Sequence, residues 1–399
     1  MLRFVPPAGA PLAIREILQA LKVSVFGKGI PQAVLSGFAT QMKVRYAFAT
    51  SSGRAGLWVI LRALRRLRSG RNIVAVPAYT CFSVPAAVVR CGLRIFPVDI
   101  DPQTLDVDHA SLERLPDDGL LCIVTSNLFG LVNDVAPIRE IARAKGSFLL
   151  DDAAQALGAS RAGSLCGTSG EVGLFSFGRG KALAAGEGGI IITDSEEISQ
   201  AVGDEIQRLP PPSISHTLSL LLQMLVYSVF LNPRLYWIPN LLPFLKLGVT
   251  EFAPDFRIST LPGISLCLLG PLMKRLGEIN RIRRENAAAL SHALVGHTCF
   301  STINPATDCQ PNYTRFPVVA KDRTVRDRAV HELRAVGIGA SAFYPGAICD
   351  IRGIERHMVV RDFHRARAEA VSQRLFTLPT HSLVRRSDLD QIAKVLGRF

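Results

Sequence analysis

Between residue 47 and about residue 200 the chain alternates short apolar runs with amphipathic stretches of helical period. Ile73–Pro77, Arg94–Val98, Leu120–Thr125 and Ser147–Leu150 are apolar over strand length, the pattern of strands buried on both faces of a sheet. Between them, Gly53–Leu67, Ser83–Cys91 and Val135–Lys145 repeat apolar positions at the spacing of one helix face. Strands and helices alternating in this way predict an α/β fold, a three-layer α/β/α domain with a mainly parallel sheet. Farther on, residues 272–294 (LMKRLGEINRIRRENAAALSHAL) predict one long charged helix leading into a small α+β domain. The tail then predicts a strand at Thr314–Val319 and helices at Arg323–Val336, Asp362–Leu375 and Ser387–Leu396. With 399 residues there is chain enough for two cores, placed at 1–270 and 271–399.

One stretch departs from this alternation. Residues 214–231 (ISHTLSLLLQMLVYSVFL) are strongly apolar and sit in an apolar insert of about 208–250. About 20 apolar residues span a bilayer, so the length admits a crossing. A single crossing would part the two halves of the molecule, however, and His216 and Gln223 interrupt the run. A helix buried at a subunit interface is the plainer reading. An in-plane helix is the third, with Arg234, Tyr236, Trp237 and Lys246 as interfacial anchors.

Charge narrows the partners. Lys and Arg number 46 against 33 Asp and Glu, a net charge of +13 that favours anionic ligands or surfaces. The basic residues fall in short clusters suited to solvated helix faces, without zinc-finger spacing or aromatic RNA-binding motifs, which argues against nucleic acid. The eight cysteines are scattered with no C-x-x-C pair, which fits reduced thiols and no metal site. Residues 1–18 lack the apolar stretch of a secretory leader, so a cytoplasmic location is expected, at most at the inner face of the membrane.

The candidate chemistry lies in FLLDDAAQALGA (148–159) and GLFSFGRGKALAAGEGGIIITD (173–194). They read as a strand ending in an acid, a second strand, a loop with a single lysine, and a glycine-rich turn. A lysine in such a loop is by itself more often a surface residue, and an acid at a strand end is as readily a helix cap. In this order they match what pyridoxal 5′-phosphate (PLP) chemistry requires. The lysine, Lys181, would carry the cofactor as a Schiff base, and the acid, Asp152, would keep the pyridine nitrogen protonated.

These blocks resemble the DegT/StrS family of PLP-dependent nucleotide-sugar aminotransferases, of aspartate aminotransferase fold type I. TSSGRAGL (50–57), VPAYT (76–80), FPVDIDPQTLDVD (96–108), LLDDAAQALGA and FSFGRGKALAAGEGG are similar to family motifs in the family's order, as are GIGASAFYPG (337–346) and LFTLPTH (375–381). The resemblance implies catalytic Lys181 and Asp152, with Gln155 against the ring hydroxyl. Ser176 and the Ser52-Gly53-Arg54 turn would hold the cofactor phosphate. Three positions depart from the family pattern: Arg54 stands for a threonine, Cys81 for the aromatic ring stacker, and Asp255 of DFR (255–257) for an asparagine. Tyr79 or Phe82 is the expected replacement for the stacker, and the insert lies just before DFR, where the family builds part of its site across a dimer.

The function implied is transfer of an amino group, typically from glutamate, to a nucleotide-linked keto-sugar in cell-surface polysaccharide or glycoconjugate biosynthesis, by a homodimer. Members that act as sugar dehydratases carry histidine where Lys181 stands, which sets this chain with the aminotransferases. Two alternatives are a membrane-associated aminotransferase that contacts the bilayer through 214–245 and acts on a lipid or lipid-linked substrate, and a non-catalytic regulator or scaffold of the same fold.

Overall fold

The computed structural model describes residues 3–27, 29–241, 250–360 and 366–399. Its main sheet takes β1 (Tyr46–Thr50), β2 (Ile73–Pro77), β3 (Arg94–Val98), β4 (Leu120–Ser126), β5 (Phe148–Asp152), β8 (Val172–Ser176) and β9 (Gly189–Thr193) in the order β1-β9-β8-β5-β4-β2-β3. The run from β3 through β2, β4 and β5 to β8 is parallel, and β9 is antiparallel to both its neighbours. The two-residue strand β6 (Ser160–Arg161) pairs with β7 (Ser164–Leu165) on one side and with β11 (Cys309–Gln310) on the other. Strand β5 reaches past the expected Leu150 because Asp151 and Asp152 still pair with Thr125 and Ser126 of β4 and with Gly173 and Leu174 of β8.

Helices cover both faces, as the unbroken apolar strands require. Side chains alternate along a strand. Val74, Val76, Phe148, Leu150 and Leu174 pack with α3 (Gly53–Leu67), α4 (Ser83–Arg90) and α7 (Glu196–Gln207). Ile73, Ala75 and Leu149 meet α5 (His109–Leu112) and α6 (Val135–Ala144), while Phe175, Ile190 and Ile192 meet α1 (Ile14–Phe26), α2 (Ile30–Met42) and α10 (Gly263–Lys274).

The helix expected over 272–294 is divided. α10 ends at Lys274 and α11 (Leu276–Ala293) begins after Arg275, which is held by Glu16 of α1 at 2.9 Å. Pro271 in the last turn of α10 has no N–H to continue the hydrogen-bond ladder. Beyond it, β10 (Phe300–Thr302), β12 (Phe316–Ala320) and β13 (Leu375–Leu378) form an antiparallel sheet packed with α11, α12 (Arg323–Ala335) and α14 (Arg386–Leu396). The helix expected from Asp362 falls partly outside the described residues; α13 (Ala366–Arg374) is its described part. The extended N-terminal segment ties the two sheets together. Val5 is buried in the C-terminal core, and Gly339 donates to its carbonyl at 2.9 Å. The carbonyls of Pro6, Pro7 and Gly9 accept from His381, Arg315 and Arg283. Burial holds His381 neutral, its pKa lowered to about 4.

Strand β8 runs so close to the turn after β7 that a Cβ on Gly173 would lie 1.8 Å from the Gly167 carbonyl oxygen. Gly173→Ala is therefore expected to part β8 from that turn and cost roughly 1–3 kcal/mol. A lower urea midpoint checks this, and an unchanged one would contradict the close approach.

Candidate active site

Strand alternation builds the site. In β5, Phe148 and Leu150 point toward α3, so Asp152, two residues on, does so as well. In the same way Leu174 directs Ser176 of β8, and Val124 directs Ser126 of β4. These polar side chains stand where their strands end, beside the first turn of α3. Ser52 caps that helix, its Oγ accepting from Ala55 N at 3.1 Å. The first-turn N–H groups of a helix lack intrahelical acceptors and form its positive end. Gly53 is required here, since a Cβ would lie 2.9 Å from Ser176 Cβ. Between these elements opens a cavity of about 360 Å³. Ser52, Gly53, Arg54, Asp152, Gln155, Ser176 and Lys181 all line it.

The adjacent acids have opposite surroundings. Asp151, on the far face of β5, accepts from Asn127 Nδ2 at 2.7 Å, Gly167 N at 2.8 Å and Ser169 N at 3.2 Å. It is a structural clamp on the 167–169 turn. Asp152 accepts from Ala154 N at 2.9 Å, and its carboxyl borders the cavity. Burial raises its pKa to about 6, a shift that the Ala154 hydrogen bond and the Lys181 charge only partly oppose. Lys181 lies in the loop after β8, in a turn where its N–H donates to Gly178 O at 3.3 Å. Gln155 is fixed at both ends: its Oε1 accepts from Phe129 N at 3.2 Å, and its Nε2 donates to Tyr344 Oη at 3.0 Å.

The structure revises the expectations for the departures. Tyr79 is buried in a core cluster with Tyr344, and Phe82 is buried among α3 and α4 residues. Neither lines the cavity, whereas Cys81 does, its Sγ 2.8 Å from Ser83 Oγ. The aromatic ring at the wall is Phe256, from the DFR segment of this same chain. Arg54 and Arg90 lie over that ring, 5.3 and 4.5 Å from its centroid, and Arg54 also donates to Ala253 O at 3.4 Å. Asp255 points to solvent and pairs with Arg90 at 3.2 Å.

Glu187 and Arg257 lie within motifs quoted from the sequence, but the sequence assigned neither of them a role. Glu187, in the glycine-rich turn, accepts from Arg257 at 2.7 and 2.9 Å, and its oxygens lie 3.0 and 3.1 Å from His216 Nε2. Glu187 and Arg257 both line the cavity. The sequence signal for Glu187 was its place six residues after the lysine; nothing local linked it to residues 216 and 257.

The family model described as the DegT/DnrJ/EryC1/StrS aminotransferase family matches residues 12–204 and 261–397. Among curated relatives, GDP-perosamine synthase of Caulobacter vibrioides is 33% identical over 186 residues, 47% of this chain and 49% of that protein. The L-glutamine:2-deoxy-scyllo-inosose aminotransferase of Micromonospora echinospora is 32% identical over 200 residues, 49% of this chain and 47% of that protein. The chain thus spans about half the length of the curated relatives it matches. In fold, it is similar to the E. coli GDP-4-keto-6-deoxy-D-mannose-3-dehydratase solved with bound hydrated PLP, at a TM-score of 0.78 and 20% identity, covering 99% of this chain and 100% of that one.

Proposed function

The chain belongs to the DegT/DnrJ/EryC1/StrS aminotransferase family, and from that premise we propose that its cavity binds PLP and carries an amino group from glutamate to a nucleotide-linked keto-sugar. The observation that carries this reading is the meeting of Lys181, the buried Asp152 carboxyl and the start of α3 around one cavity. The residues fit the cofactor by donor chemistry: a primary amine for its carbonyl carbon, a buried carboxyl for its ring nitrogen, and an anion cradle for its phosphate. When bound, the cofactor supplies an electron sink that acidifies the donor's α-carbon proton and stores the amino group between half-reactions.

The chain's own residues do the rest. The Lys181 amine takes and returns the substrate proton as general base and acid. Asp152 would keep the ring nitrogen protonated, and that cationic ring would favour the ionised carboxyl that burial disfavours. Gln155, fixed at both ends by Phe129 and Tyr344, presents a rigid polar edge to the ring. Ser176 Oγ and the first-turn N–H groups of α3 would donate to the phosphate dianion, with the Arg54 guanidinium within the same wall.

The same reading holds the acceptor to be a precursor of surface polysaccharide or glycoconjugate and the enzyme to be a cytoplasmic homodimer. It sets the large domain at 1–270 and the small one at 271–399, with the last turn of α10 still packed on the large domain. It includes contact with the inner face of the membrane through 214–245. Lys246, the sequence-proposed anchor, lies with 242–249 outside the described residues.

The visible absorption spectrum of the purified protein with added PLP, before and after L-glutamate, tests the reading. The expected result is a cofactor band that glutamate bleaches. A band insensitive to glutamate but bleached by L-glutamine would replace the donor, and absence of any band would overturn the enzyme assignment.

A further inference from the structure

The apolar insert folds as α8 (Ile214–Phe230), a helix of 17 residues. Among the described residues no helix is long and apolar enough to cross a membrane. Nor is α8 buried within the chain, since only its Leu220 and Met224 are. Ile214, Leu218, Leu222 and Val226 follow at four-residue spacing on its outer side, and all are exposed, Ile214 at 81% and Leu222 at 63%. Beside it α1 exposes Leu18, Val25 and Phe26, the last at 78%. Exposed large apolar side chains gathered on two adjoining helices mark an interaction surface.

Charge identifies the occupant. α8 contains no Asp, Glu, Lys or Arg. On α1, Arg15 and Lys22 share the exposed side with Leu18 and Val25, while the one acid, Glu16, is turned inward onto Arg275. The rim is therefore cationic, on a chain of net charge +13. A second copy seated about a twofold axis would bring like rims together; an anionic lipid surface offers the opposite charge.

We propose that the α1/α8 face docks in the plane of an anionic bilayer, the apolar stripe entering the headgroup boundary and Arg15 and Lys22 meeting lipid phosphates. This rests on the membrane contact in the function proposed above and adds the face, the lipid charge and the link to the cavity. The opposite side of α8 lies against the loop that carries Lys181. A Cβ on Gly186 would fall 2.8 Å from Met224 Sδ, and His216 reaches Glu187, which Arg257 also holds. The docked helix is thus the outer wall of the active-site turn.

Vesicle flotation tests this without any assay of activity. The full chain is expected to float with vesicles of phosphatidylcholine and phosphatidylglycerol, at least about tenfold better than with phosphatidylcholine alone, from two cations near the surface. Leu218→Glu/Leu222→Glu should remain unbound with an unchanged circular dichroism spectrum, and Arg15→Glu/Lys22→Glu should lose the preference for the anionic lipid. Bound vesicles should slow amide exchange in α1, α8 and residues 183–187. Failure of the wild type to float, or protection confined to another face, would overturn the proposal. So would a loss of oligomeric state in Leu218→Glu/Leu222→Glu without any vesicle binding by the wild type, which would assign the face to a second copy. A chain that floats but binds no PLP would instead overturn the enzyme reading and leave the docking face standing.

Discussion

Lys181→Ala is expected to lose amino transfer by at least about 10⁴-fold, since the one amine serves both to hold the cofactor and to move the proton. That factor corresponds to about 5.5 kcal/mol of transition-state stabilisation. The fold should survive, because the side chain lines a cavity and the turn rests on the backbone bond from Lys181 N to Gly178 O. The variant has a second consequence: the Lys181 charge opposes the effect of burial on Asp152, so its removal drives the Asp152 pKa farther up. Lys181→Arg separates the two effects, restoring the charge without an amine able to form an imine. Single-turnover mixing of the PLP-loaded protein with glutamate checks both variants. Turnover by Lys181→Ala within tenfold of wild type would assign the amine role elsewhere.

Asp152→Asn should show a larger stability in the cofactor-free protein together with a loss of function. The Asp152 carboxyl has an ordinary pKa of 3.8 and a folded one of about 6, so the folded chain binds its proton more tightly than the unfolded chain. Its contribution to stability is complete below about pH 4 and is lost as pH rises through 6. At pH 7 the loss is on the order of 3 kcal/mol. Asparagine keeps an oxygen for Ala154 N and carries no charge. The cofactor-free variant should therefore exceed the wild type at pH 7 by about 1–3 kcal/mol, with the gap closing near pH 4. Urea unfolding at a series of pH values measures this. With PLP the order reverses in function: without a carboxylate for the ring nitrogen, turnover should fall by at least about 10²-fold. A cofactor-free wild type more stable than the variant at pH 7 would mean that the folded chain stabilises the ionised Asp152 carboxylate, against the effect of burial.

Much of the fold is legible along the chain because buried parallel strands write themselves as unbroken apolar runs. Ile73–Pro77 and Arg94–Val98 match the observed strands residue for residue. The same rule misplaces β5, since hydropathy ends at Leu150 while pairing with β4 and β8 carries the strand through two acids. It also joins α10 to α11, because amphipathic periodicity is blind to the break at Arg275. The seven site residues named from sequence meet at one cavity because each block ends a strand or starts a helix at the same edge of the sheet.

The sequence by itself determined the order of elements and the residue types at their ends, since both follow from local period and composition. Only the tertiary structure decided sidedness. It turned Asp152 rather than Asp151 toward α3, sent Tyr79 and Phe82 into cores, and brought Phe256 to the cavity wall. It joined Glu187 to His216 and Arg257, residues 29 and 70 positions away. It also left the α8 stripe facing outward where hydropathy alone allowed burial. The physical reason is common to all of these. The direction of a side chain at a strand end, and the face a helix buries, are fixed by contacts between distant segments, and no local pattern encodes them.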